Sequence, residues 1–173
     1  KMSNRFILNE VSYFGPGARE VLPKEIARLG LHKALVVTDK DLIKFGVADK
    51  VLKVLETASV PYEVFSDVKP NPTVSNVKAG LQAFAASGAD FILAIGGGSS
   101  IDTSKAIGII TNNPEFSDVV SLEGVADTRN KSVPIIALPT TAGTAAEVTI
   151  NYVITDEANE KKVVCVDPND IPV

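Results

Sequence analysis

The run Phe91-Ile92-Leu93-Ala94-Ile95-Gly96-Gly97-Gly98-Ser99-Ser100-Ile101-Asp102-Thr103-Ser104-Lys105 changes character at its centre. Its opening residues are unbroken apolar. A run this short reads as a strand buried on both faces, hence parallel and covered by helices. Glycines and serines follow, then a small-residue helical pattern in Ala106, Ile107, Ile109 and Ile110. Glycine lets backbone approach a ligand with no Cβ in the way, and a helix start offers unpaired N–H groups and the positive end of its dipole. Strand, glycine turn and helix N-terminus together predict a phosphate cradle, with Gly97, Gly98 and Ser99 nearest the anion. A tight strand-to-helix turn without a ligand is the plainer reading of the same glycines.

Outward from this run, the chain alternates two periods. Arg5 to Leu8 and Val11 to Phe14 read as an opening hairpin turning at Asn9-Glu10. A first helix is expected from about Pro23, a residue suited to a helix start, to Arg28, stopping at Gly30. Ala34 to Thr38 reads as a buried strand, and Val47, Val51, Val54, Leu55 and Ala58 recur at helical spacing. Tyr62 to Phe65 is the next strand. Val74, Val77, Leu81, Phe84 and Ala85 form the next helical stripe, closed at Gly88, and Val133 to Leu138 is a fourth core strand. This alternation predicts a doubly wound α/β layer with a parallel sheet. Thr149 to Thr155 and Lys161 to Val166, joined by a polar turn, read as an antiparallel hairpin appended to that sheet. Beyond it, Asp167 to Val173 runs extended and looks cut rather than finished.

Composition narrows the function. The 173 residues suit one domain with a real core. Aromatics are 6% and net charge is −4, so no basic surface attracts nucleic acid. No apolar stretch has a membrane span's length, and no signal peptide opens the chain. The single cysteine, Cys165, sits in an apolar run and reads as a small hydrophobe in a protein of the reducing cytoplasm.

Ligands of open α/β sheets bind outside the carboxyl ends of the strands. Asp39 follows such a strand. Its carboxylate there can accept from a ribose diol and repel a 2′-phosphate, although a helix-capping aspartate fits equally well. Asn71, between Pro70 and Pro72, is either held toward a ligand or an ordinary turn asparagine. The segment Pro139-Thr140-Thr141-Ala142-Gly143-Thr144-Ala145-Ala146-Glu147-Val148-Thr149 offers hydroxyls and close backbone approach after a core strand, but hydroxyl residues also cap helices. In the hairpin, Asn151 and Val153 share a face with Lys162 on the returning strand, which either covers a ribose or is a solvated surface. Asp102 and Lys105 read as an ion pair on the surface of their helix. His32 is the sole histidine, so a His and carboxylate metal site is not expected, nor a Cys–His or Ser–His–Asp arrangement.

Gly96-Gly97-Gly98-Ser99-Ser100-Ile101-Asp102, taken with the Pro139–Thr149 segment, resembles the two signatures of the iron-dependent (group III) alcohol dehydrogenases. The likeness extends over essentially the whole chain, as that family's N-terminal half. It implies a Rossmann-like dinucleotide-binding domain over 1–173, without the family's C-terminal all-helical metal domain. The implied NAD contacts are Asp39, Asn71, Gly97, Gly98, Ser99, Thr140, Thr141, Thr144, Thr149, Asn151, Val153 and Lys162. In the family one aspartate and three histidines of the helical domain hold iron, so the resemblance places no metal ligand or catalytic residue here. It implies hydride transfer between NAD(H) and a short-chain alcohol or aldehyde by the intact enzyme, an inactive isolated half, and homodimers through the N-terminal strands. The competing readings are a stand-alone nucleotide-binding module, another small-alcohol dehydrogenase of the family, and a phosphotransferase. The last usually places an acidic residue among its glycines, and Gly96-Gly97-Gly98-Ser99 has none.

Overall fold

Leu93 lies at the centre of a five-stranded sheet in the computed structural model, which describes residues 11–13, 18–70, 73–114, 124–125, 132–139, 151–156 and 161–166. In chain order the elements are β1 (Val11–Tyr13), α1 (Ala18–Arg28), β2 (Ala34–Val37), α2 (Lys40–Lys44), α3 (Val47–Thr57), β3 (Tyr62–Phe65), α4 (Val74–Ser87), β4 (Phe91–Gly96) and α5 (Gly98–Asn112). The remainder are β5 (Gly124–Val125), β6 (Ile135–Pro139), β7 (Asn151–Asp156) and β8 (Lys161–Val166). The large sheet runs β1-β6-β4-β2-β3, and every neighbouring pair is parallel.

The burial of β2 and β4 follows from their composition. Every residue of both strands is buried, as expected of central parallel strands covered on two sides. Alternate residues divide between two cores. Leu35, Val37, Ile92, Ala94, Ile135 and Ala137 pack with Phe84, Ile101 and Ile107 of α4 and α5. Ala34, Val36, Phe91, Leu93, Ile95 and Ile136 pack with Leu22, Ile26, Ala48 and Leu55 of α1 and α3. Burial of one such aliphatic side chain is worth about 1.5–3 kcal/mol, so the two-sided pattern dominates the stability of the layer. A Cβ on Gly80 of α4 would overlap Ile107 of α5, which is how closely those helices meet.

The expected α/β alternation is present, with differences at the margins. α1 begins at Ala18, so Pro23 lies inside the helix rather than at its start. Leu22 and Ile26, one turn apart and both buried under the sheet, hold the helix through the amide that proline lacks. α2 is an additional short helix immediately after β2. β1 joins the large sheet in parallel beside β6, at its edge, and Arg5 to Leu8 lies outside the described residues. β7 and β8 pair antiparallel, but with β5 they make a separate three-stranded sheet rather than an extension of the parallel one.

Candidate functional site

The strand order creates one crevice. From β2 the chain crosses to β3 on one side, and α4 then returns it to β4 on the other side of β2. The carboxyl ends of β2 and β4 are therefore adjacent while their following segments diverge, the switch-point arrangement at which open sheets bind ligands. A cavity of about 700 Å³ lies there, lined by Asp39, Asp67, Val68, Asn76, Gly97, Gly98, Ser99 and Ser100 among others.

Its floor is the start of α5. Gly97 occupies the N-cap with no side chain capping the helix, so the first N–H groups of a long helix open toward the cavity with the positive end of the dipole. Gly96 has φ +138°, and a Cβ there would meet Ser100 Oγ at 2.7 Å and Leu42 Cδ1 at 3.2 Å. That conformation and that contact require glycine. Ser100 is buried, lines the cavity, and its Oγ has no hydrogen-bond partner among the described residues. A buried hydroxyl without a partner is costly, and Thr38 Oγ1 and Ser104 Oγ share that state.

The wall is charged. Asp39 caps α2, its Oδ1 accepting from the Leu42 N–H at 2.9 Å. Asp39 is thus a helix cap, and it also lines the cavity. Lys40 Nζ lies 3.3 Å from Asp67 Oδ1, and the backbones of Asp39 and Asp67 form an isolated bridge. Asn76 completes a reciprocal capping box with Thr73 and donates from Nδ2 to the Asp67 carbonyl at 2.9 Å, tying the segment after β3 to the start of α4.

Of the expected site residues, the fold brings Asp39, Gly97, Gly98 and Ser99 to one cavity. Asn71, Thr140, Thr141, Thr144 and Thr149 lie outside the described residues. Asn151 and Val153 are in β7 and Lys162 is in β8; the antiparallel register pairs Val153 with Val164 and Lys162 with Thr155. Lys105 is not on the surface: it is 1% exposed, because α5 is enclosed along nearly its whole length. Asp102 and Lys105 both make polar or electrostatic contacts. Asp67, Asn76 and Ser100 were not anticipated. The sequence signals for them were weak: Asp67 follows a strand as Asp39 does, Ser100 ends the glycine-serine run, and the Thr73…Asn76 spacing is a capping box that more often ends in Glu or Gln.

No three His, Cys, Asp or Glu side chains converge among the described residues. His32 stands beside Asp90, with Nδ1 3.1 Å from its Oδ2. The described residues do not fit an iron centre.

A doubly wound parallel sheet with a glycine turn and an open helix N-terminus at its switch point defines a Rossmann-like α/β domain. The chain belongs to the iron-containing alcohol dehydrogenase family, whose model matches residues 9–173. It is 59% identical over 171 residues to lactaldehyde reductase of Escherichia coli (strain K12), covering 99% of this chain and 45% of that protein. The solved structure of alcohol dehydrogenase from Oenococcus oeni superposes with a TM-score of 0.87 at 37% identity, over 98% of this chain and 44% of that one. Sulfoacetaldehyde reductase from Bifidobacterium kashiwanohense, solved in complex with NAD+, superposes with a TM-score of 0.79 at 29% identity, over 99% of this chain and 45% of that one. The chain therefore spans less than half the length of these relatives.

Proposed function

We propose that residues 1–173 form the NAD-binding domain of an iron-dependent alcohol dehydrogenase acting on a short-chain alcohol or aldehyde, with lactaldehyde and 1,2-propanediol as the first substrates to test. The observation that carries this reading is the meeting of Asp39 and the uncapped start of α5 on one cavity at the β2–β4 switch point. In it, Asp39 accepts from the ribose hydroxyls of adenosine. The amides following Gly97, with the Ser99 hydroxyl, receive the pyrophosphate. Asn71, Thr140, Thr141, Thr144, Thr149, Asn151, Val153 and Lys162 complete the proposed set around the remainder of the dinucleotide. When bound, NAD supplies the hydride acceptor or donor and iron the Lewis acid. We assign the iron to an all-helical domain outside this chain, because the relatives are more than twice as long. β1 at the sheet edge supports a homodimer built through the N-terminal strands of a cytoplasmic protein.

Calorimetric titration of the 173-residue chain with ADP-ribose, paired with an alcohol-oxidation assay in added Fe²⁺, tests the proposal. Binding without turnover is expected. Turnover by the chain alone would place the chemistry within it and overturn the two-domain assignment. A folded sample that binds nothing at millimolar ADP-ribose would remove the cradle reading of Gly97, Gly98 and Ser99.

A further inference from the structure

We infer that Asp67 is a second determinant of cofactor choice, acting by keeping the Lys40 ammonium from a 2′-phosphate. The inference rests on the cavity being the NAD site. Asp67 follows β3, and its backbone bridge to Asp39 sets the two carboxylates on neighbouring strand ends. The bond from Asn76 Nδ2 to the Asp67 carbonyl secures the same residue from the α4 side. Lys40, next to Asp39 in the chain, reaches Asp67 Oδ1 with its Nζ at 3.3 Å. All three line the cavity, together with Asp41 and Lys69.

The charges at this corner explain the consequence. A ribose diol needs only an acceptor, which Asp39 supplies. A 2′-phosphate needs uncompensated cations, and Asp39, Asp41 and Asp67 outnumber Lys40 and Lys69 by one. Replacing Asp67 by a neutral residue brings that corner to zero and frees the ammonium closest in sequence to Asp39. Replacing Asp39 as well makes the corner cationic. Asp67 is thus a positioning residue: its effect on the phosphorylated cofactor passes through Lys40.

The test is a set of variants of the intact protein, titrated with NADH and NADPH by nucleotide fluorescence at low ionic strength. Asp67→Asn should improve NADPH affinity relative to NADH by about two- to fivefold, the range expected of one exposed charge pair. The gain should vanish in Asp67→Asn/Lys40→Ala, should shrink with added salt, and should be absent in Asp67→Glu, which keeps the carboxylate. A purely structural role for Asp67 would weaken both nucleotides alike. An unchanged ratio in Asp67→Asn, or a gain that survives loss of Lys40, overturns the inference while leaving the NAD reading intact. Failure of the unmodified protein to bind either nucleotide overturns both.

Discussion

Asp39 follows β2 with a carboxylate that is only half committed: Oδ1 holds the Leu42 N–H, and the residue also lines the cavity. The two roles separate by substitution. Asp39→Asn keeps an N-cap acceptor and loses the charge, so it should narrow the preference for NAD over NADP with little change in stability. One carboxylate against a 2′-phosphate at a partly exposed site is worth about 1–2 kcal/mol, or roughly 5- to 30-fold in the ratio of kcat/KM values. Asp39→Ala should shift the ratio similarly and also cost about 1 kcal/mol in urea unfolding for the lost cap. An unchanged cofactor ratio in both variants would remove Asp39 from the adenosine end of the site. Gly96 is the other residue on which the cavity depends. At φ +138° with Ser100 Oγ behind it, Gly96→Ala should cost about 1–3 kcal/mol in stability and weaken ADP-ribose binding by displacing the start of α5. Wild-type affinity in this variant would show that the turn is not part of the cradle.

Among the elements, β2 depends on a connection at its opposite end. The Asp90 carboxylate, just before β4, accepts from the backbone N–H groups of His32 and Lys33 at 2.9–3.1 Å, and the His32 ring lies against it. Partial burial works to raise the Asp90 pKa, but the backbone bonds from Lys33 and His32, with the His32 side chain, outweigh it and leave it below the ordinary value of 3.8. A carboxylate with a lowered folded pKa stabilises the protein above its ordinary value. That contribution disappears as the pH falls through the folded value. Asp90→Ala should therefore destabilise at neutral pH by about 1 kcal/mol, a figure reduced for solvent screening. Chemical denaturation of both proteins should show the gap closing as the pH drops below the aspartate range. A gap of constant size down to pH 2 would mean that the carboxylate charge is not what joins these strands.

For the molecule as a whole, the cavity draws its walls from the segments after β2, β3 and β4 and from the starts of α4 and α5. A ligand seated there touches the ends of three strands and the starts of two helices at once, so binding should stabilise the fold globally. At 100 times its Kd, ADP-ribose should raise the unfolding free energy by about 2.7 kcal/mol, with the unfolding midpoint rising accordingly. In Gly96→Ala this rise should be largely lost at the same ligand concentration. An equal rise in the variant would place the ligand elsewhere on the protein.

Residue order alone was enough to establish the α/β alternation, because short all-apolar runs such as Phe91–Ile95 are stable only when covered on both faces. It also pointed to Asp39 and the Gly97–Ser99 turn, whose local chemistry is visible within a few residues. Local signals misplaced the start of α1, since the burial of Leu22 and Ile26 depends on packing; they offered Asp39 as a helix cap but left out α2, whose five residues are too few to show a helical period. Lys105 went the same way: three residues from Asp102 it reads as a surface partner, yet the neighbours that enclose α5 are distant in sequence. Only the tertiary structure decided that the segment after β3 completes the cavity. The crossing from β2 to β3 and back to β4 sets Asp39 beside Asp67, and Lys40 beside its carboxylate. No rule of sequence spacing encodes the order in which parallel strands lie side by side.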